Sequence, residues 1–114
     1  MNSDCIFCDI AQKKARANIV LENDAYIAFE NIKPEAPVHI LVMPKEHVEK
    51  KDAMSEKVNN FWDNLMAFAY QVIEKYELDK TGYRLVNNGA GYNDLEHEHI
   101  HILGGKNWQP KDNL

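Results

Sequence analysis

Five histidines fall in this chain, and three of them alternate within the run His97-Glu98-His99-Ile100-His101-Ile102-Leu103-Gly104. An imidazole with its ordinary pKa of about 6.5 is mostly neutral at pH 7 and carries a lone pair, so it can serve as nucleophile, proton carrier or metal ligand. If the run from His97 to Leu103 is a strand, residues two apart share a face and all three rings point the same way. Neighbouring rings then stand roughly 6.6 Å apart and the outer pair roughly 13 Å. Zinc–nitrogen bonds are about 2 Å long. Two neighbours can share an ion, but three on a straight strand do not close round one. The interleaved Ile100 and Ile102 are apolar, so the strand reads as buried. A buried row of imidazoles with no task is costly to satisfy. The plain alternative is the polar face of an edge strand.

A second constellation lies at the N-terminus, where Cys5 and Cys8 form a C-x-x-C pair. A disulfide closing so small a loop would staple little. The spacing leaves metal binding, redox chemistry and chance open. A thioredoxin-like role is disfavoured because no βαβ pattern surrounds the pair.

These residues must be held by a framework. Residues 7–14 read as a short helix. Residues 19–22 and 26–30 read as two strands of a hairpin turned at Asn23-Asp24. Pro34 and Pro37, three apart, resist both helix and ladder and mark a loop. His39-Ile40-Leu41-Val42-Met43 is a nearly continuous apolar run of the kind a central strand needs, and Pro44 closes it. From Ser55 to Tyr76 the apolar positions Val58, Phe61, Trp62, Leu65, Phe68, Ala69, Val72, Ile73 and Tyr76 recur at helical steps, with Ser55 as the expected N-cap. Residues 83–86 read as a strand, residues 87–93 as a Gly-rich loop, and Gly104-Gly105 stops the last strand. Strands on either side of one long helix predict an α+β fold. Its sheet is mostly antiparallel with about five strands, joined by one long helix and a short N-terminal one.

With 114 residues the expectation is one domain spanning 1–114. The formal net charge of -5 argues against a nucleic-acid or anionic-membrane binder, since phosphate-backbone affinity needs clustered Lys and Arg. It leaves room for a small phosphate ligand held by a few groups. No apolar stretch approaches a membrane span, and the start Met1-Asn2-Ser3-Asp4 lacks the pattern of a signal peptide, so a cytoplasmic setting is expected.

In this context the run His97-x-His99-x-His101, with Ile102-Leu103 after it, resembles the signature of the histidine triad (HIT) family. The likeness extends along nearly the whole chain. Cys5-Ile6-Phe7-Cys8 resembles the family's N-terminal start, and the run from Ala28 to His39 resembles its phosphate-side loop and the strand bearing a fourth histidine. Met43-Pro44-Lys45-Glu46-His47 matches a further element. The run from Gly82 to Gly89 resembles the strand and loop before the triad. Gly104-Gly105 with Trp108 is similar to the tail of the small branch that cleaves nucleoside phosphoramidates.

The resemblance implies attack on the α-phosphorus of a purine nucleotide, with a covalent intermediate that splits one slow displacement into two. It assigns His99 as nucleophile, His101 as donor to a non-bridging phosphate oxygen and His39 as support for orientation or proton balance. Asn87 matches the amide that contacts phosphate or sugar. Asn31, Asn93 and Asp94 fall at substrate-contacting positions, where amides between Asn93 and Leu95 can also cradle phosphate. No catalytic cofactor is implied. Where the family carries C-x-x-C, Cys5, Cys8, His47 and His97 resemble a structural zinc site, whose ligand types suit tetrahedral zinc. A homodimer is implied as well. The competing readings are a dinucleoside polyphosphate hydrolase, and a nucleotide-binding, zinc-stabilised scaffold with little turnover.

Three positions depart from the pattern. Asn31 stands where the phosphoramidate-cleaving branch has an Asp that accepts from ribose hydroxyls, and an amide accepts without charge. Asp94 puts a carboxylate where a hydroxyl normally sits. It would repel phosphate unless it turned away, paired with a lysine or served as a proton donor. Glu98 takes an apolar family position and is expected to face away from the site, toward a subunit edge or solvent.

Overall fold

The computed structural model describes residues 5–55, 60–89 and 96–110. Its centre is a five-stranded sheet, all neighbours antiparallel, in the order β1-β2-β3-β5-β4. These strands are β1 (Ile19–Glu22), β2 (Tyr26–Glu30), β3 (Val38–Pro44), β4 (Tyr83–Val86) and β5 (Ile100–Gly104). The β1–β2 hairpin forms as expected. Asn23 sets its turn by accepting the Ala25 and Tyr26 amides on Oδ1 at 2.9 and 2.8 Å, an Asx turn built from one side chain. Strand β3 is central, and six of its seven residues are buried, which explains the unbroken apolar run.

Alternation along β3 and β5 divides the core in two. Ile40, Val42, Ile100 and Ile102 face α3 (Phe61–Lys75), whose Leu65, Phe68, Ala69, Val72 and Ile73 pack against them. The opposite face carries Leu41 and Met43 under the N-terminal helix α1 (Ile6–Ala11), with Phe7, Cys8 and Ile10 pressed on Ile27 and Phe29. His39 and His101 belong to this second face, because their alternation partners Leu41 and Leu103 lie two residues away. The histidines thus sit on the side of the sheet that α3 leaves open.

The long helix is shorter than its periodicity predicts. Asn60, its N-cap, has φ +57°, a left-handed conformation that cannot continue a right-handed helix. Ser55 is therefore not the cap: its hydroxyl donates to the Asp52 carbonyl at 3.0 Å, at the end of a one-turn helix α2 (Lys50–Ala53). Val58 lies outside the described residues. A second one-turn helix, α4 (Leu78–Thr81), follows the left-handed Glu77 and is anchored by the buried Leu78. Four-residue helices carry too little periodicity to be read from sequence. The N-terminal helix also stops early, at Ala11, and Lys13 takes φ +63°.

The chain leaves β5 at Gly105 with φ +121°, and a Cβ there would meet the Pro37 Cβ at 2.8 Å. Gly105→Ala is expected to lower unfolding free energy by about 1–3 kcal/mol through backbone strain alone. A chemical denaturation midpoint equal to the wild type would contradict this. No helix among the described residues is long and apolar enough to cross a membrane.

Candidate active site and metal centre

The three alternating histidines do not lie on one strand. Strand β5 begins only at Ile100, so His97 and His99 precede it outside the ladder, where the chain bends at His97 and the Glu98 amide bonds the Val48 carbonyl. The reason is a local bond: His99 Nδ1 lies 2.8 Å from the His97 carbonyl oxygen, which turns that carbonyl to its own chain instead of a neighbouring strand. A carbonyl only accepts, so Nδ1 carries the ring hydrogen and Nε2 of neutral His99 keeps the lone pair. The His99 ring is buried and lies edge-on to Phe7 at 4.9 Å and to His101 at 5.0 Å.

The tautomers of the other two rings follow from a backbone donor. The Glu35 amide donates to His39 Nδ1 at 3.1 Å. Nε2 of His39 must then carry hydrogen, and it donates to His101 Nδ1 at 2.9 Å. His101 in turn carries its hydrogen on Nε2. Burial holds the His39 pKa below the usual histidine value, against a small opposing pull from the Glu35 charge, and so favours this neutral form. His39, His99 and His101 are thus brought together, while His97 is turned elsewhere.

A cavity of about 540 Å³ opens beside His99 and His101. Its walls include the apolar Ile6, Phe7 and Ile10 from α1, Phe29 from β2, and Asn31 and Ile32. A second opening, of about 610 Å³, lies against His39, His101, Arg84 and Trp108. Asn31 Oδ1 accepts the Lys33 amide at 2.8 Å; its Nδ2 lies 3.3 Å from His39 Nε2, but both are donors in the tautomer that the Glu35 amide sets, so His39 bonds His101 instead. Asn93 and Asp94 lie outside the described residues.

Asn87 is engaged within the protein. Its Nδ2 donates to the His99 carbonyl at 2.8 Å, and its Oδ1 accepts from the Lys50 ammonium. Lys50 also meets Glu98 Oε2 at 2.6 Å. Glu98 is only 2% exposed, so the expectation that it faces solvent or a subunit edge is wrong. A buried carboxylate needs a cation, and Lys50 on α2 supplies one. Sequence reading missed Lys50 because α2 is too short to announce itself and a lone lysine carries no pattern.

The four residues grouped by resemblance do converge. The ligand atoms of Cys5, Cys8, His47 and His97 all lie within 4.8 Å of one another. Cys5 is the N-cap of α1, and its Sγ accepts the Cys8 amide at 3.4 Å, so one turn of helix brings both sulfurs to one side. His97 aims Nδ1 at the two sulfurs, 3.6 and 3.5 Å away, while its Nε2 donates to the Pro44 carbonyl at 2.7 Å. His47 aims Nδ1 at Cys8 Sγ, 3.2 Å away, with Nε2 3.4 Å from Glu49. Each imidazole therefore presents one nitrogen inward and braces the other on an oxygen, the arrangement that fixes a metal-binding tautomer. Burial, partly offset by the Pro44 bond, pushes the His97 pKa down to about 4, so the ring is neutral as a ligand must be. Burial, then contact with Cys5, pushes the Cys8 thiol up to about 11. Both cysteines are free thiols.

Comparison with known proteins matches residues 12–108 to the HIT domain. An uncharacterized HIT-like protein of Buchnera aphidicola is 33% identical over 108 residues, covering 93% of this chain and 95% of the relative. A histidine triad protein from Clostridium difficile superposes with a TM-score of 0.86 at 34% identity, covering 98% of this chain and 99% of that one. A HIT family hydrolase from Legionella pneumophila gives 0.82 at 35% identity, covering 90% and 93%.

Proposed function

The chain belongs to the HIT family, and from that premise we propose that it is a nucleotide hydrolase that cleaves the P–N bond of nucleoside 5'-phosphoramidates through a nucleotidyl-His99 intermediate. The observation that carries this reading is the His99 Nδ1–His97 carbonyl bond, which leaves a lone pair on Nε2 of a ring lining the cavity. In the first step that lone pair attacks phosphorus, the P–N bond breaks with its electron pair going to nitrogen, and the departing amine takes a proton from solvent. In the second, water attacks the phosphorus, the bond to imidazole breaks, and the nucleoside monophosphate departs. The tautomer chain from the Glu35 amide through His39 ends with hydrogen on His101 Nε2, suited to bonding a phosphate oxygen whose charge grows in the transition state. The apolar wall from Ile6 to Phe29 suits a purine face, and Asn31 lies within reach of a ribose.

Cys5, Cys8, His47 and His97 suit a structural zinc. Bound there, the ion would join α1 to the segments after β3 and before β5. Because all four positions would be filled by protein, it would offer substrate no open site. A homodimer fits two features: β4 is an outer strand of the sheet, and Tyr70 and Tyr83 are exposed on α3 and β4.

The test is a time course of purified protein with adenosine 5'-monophosphoramidate beside a diadenosine polyphosphate. AMP release from the phosphoramidate is expected to dominate. Cleavage of the dinucleotide alone would move the activity to the polyphosphate class, and nucleotide binding with no cleavage of either would leave a binding scaffold.

A further inference from the structure

Glu98 presents a puzzle in placement. It stands between the zinc-site residue His97 and the nucleophile His99, it is buried, and its carboxylate lies opposite the Lys50 ammonium. Apolar residues suit such a position without desolvation cost, and replacing a buried ion pair by apolar groups is often neutral or stabilising. The contact is one of opposite charges at 2.6 Å and not an aligned hydrogen bond, so bonding geometry does not account for it.

The geometry points to Glu98 and Lys50 as a positioning pair that sets the Asn87 amide and, through it, the backbone of His99; this rests on the reading of His99 as nucleophile. Glu98 holds the Lys50 ammonium, and that ammonium donates to Asn87 Oδ1. With its oxygen claimed by a cation, the amide presents Nδ2 in one sense only, toward the His99 carbonyl. Without the cation the amide keeps only its single Nδ2 bond to that carbonyl, and its plane is free to swing about that bond. The lysine stem is itself confined. Its ammonium sits 5.5 Å from the centre of the Trp62 ring, and a Cβ on Gly89 would come within 3.2 Å of its Cε. Trp62 is held in turn by its indole N–H on the Ala53 carbonyl at 3.0 Å. The Glu98 amide donates to the Val48 carbonyl at 2.7 Å, which fixes the carboxylate's origin. The pair thus ties α2, α3 and the end of β4 to the residue that must meet phosphorus. Its function is to hold attack geometry, and it touches no substrate atom.

The test compares wild type, Lys50→Met and the double variant Lys50→Met/Glu98→Leu. Two readouts are used: steady-state hydrolysis of adenosine 5'-monophosphoramidate, and solvent exchange of the Asn87 side-chain amide by NMR. Methionine keeps the stem over Trp62 and removes the cation, while the double variant removes the stranded carboxylate as well and should recover stability. In both variants kcat is expected to fall about tenfold to a hundredfold, the range for misplacing a reacting group by about an ångström, with KM within about threefold. The Asn87 amide should exchange at least about tenfold faster, as expected when a group loses its anchoring bond. If the double variant regains both stability and kcat, the pair is only structural and the inference is overturned. If the wild type does not hydrolyse the phosphoramidate, the functional reading fails by itself. The exchange measurement then still decides for the amide alone: unchanged Asn87 exchange in Lys50→Met overturns the pair's hold on that amide, and faster exchange sustains it.

Discussion

His99→Ala is expected to reduce turnover of adenosine 5'-monophosphoramidate by at least roughly a thousandfold, which corresponds to about 4 kcal/mol of lost transition-state stabilisation. The reason lies in the division of labour among the rings. His99 Nδ1 is committed to the His97 carbonyl, so Nε2 is the nitrogen with electrons to give. His101 presents a hydrogen on Nε2 and accepts on Nδ1, and His39 is occupied by the Glu35 amide and by His101. Neither of those rings can replace the nucleophile without reversing the whole tautomer chain. His101→Ala should cost less, about a hundredfold, because it removes one charge-stabilising donor and leaves the attacking atom in place. In rapid-quench mass spectrometry, wild type should gain the mass of a nucleotidyl group and His99→Ala should not. AMP affinity should stay within a few-fold, since the apolar wall of Ile6, Ile10 and Phe29 is untouched. Because Phe7 packs edge-on against the His99 ring, the variant's melting temperature must be recorded beside its activity. Residual turnover within tenfold of wild type in a folded His99→Ala protein would remove His99 from the role.

How much of this was legible depends on the length scale of each signal. Strands β1, β2 and β4 lie where alternation and turn residues put them, and β3 extends its apolar run by one residue at each end. The sheet's helical cover is likewise written in the stripe from Phe61 to Ile73. What failed was local and depended on backbone conformation. Asn60 adopts a left-handed φ, which propensity does not flag, so the helix predicted from Ser55 starts only at Phe61, while its end at Tyr76 is where periodicity put it; the left-handed Glu77 and the turn of α4 lie beyond that end and were not foreseen. The three histidines were assigned one strand from their spacing, yet a side chain bonding its own backbone two residues back defeats the ladder. The resulting break is what separates His97, turned to the cysteines, from His99 and His101 at the cavity. Glu98 was misplaced for a different reason. Its burial makes sense only with Lys50, and two residues 48 apart with no shared motif are joined by tertiary structure alone. The convergence of His39, His99 and His101 and of Cys5, Cys8, His47 and His97 thus accords with the sequence reading, whereas the bonds that orient them were not readable.

Zinc should raise the melting temperature of the wild type by about 15 °C and leave Cys5→Ala/Cys8→Ala unmoved. The ligands come from three places: the N-cap and first turn of α1, the segment after β3, and the turn before β5. An ion joining them would crosslink the N-terminus to the sheet and would bind the folded chain far better than the unfolded one. At a free zinc level about a thousandfold above Kd, this linkage contributes about 4 kcal/mol. For a chain of this size that converts to about 15 °C. Alanine at both cysteines keeps small apolar groups beside Phe7 and Ile10, so the variant should melt close to the chelator-treated wild type. The comparison therefore isolates the metal from the packing. Binding must displace protons from the thiols, Cys8 among them with its pKa near 11, so zinc affinity should fall as pH is lowered. The effect should also reach the active site. Phe7 lies between the two cysteines in sequence and packs edge-on against the rings of both His97 and His99, with ring centres 6.0 and 4.9 Å apart. Stripping zinc is accordingly expected to lower kcat several-fold by loosening the wall behind His99, an amount in keeping with a sub-ångström loss of alignment. A wild-type melting temperature that ignores both zinc and chelator would refute the metal site, and the four residues would then be a polar cluster tying α1 down through the Cys5 and Cys8 contacts to His97 and His47 alone.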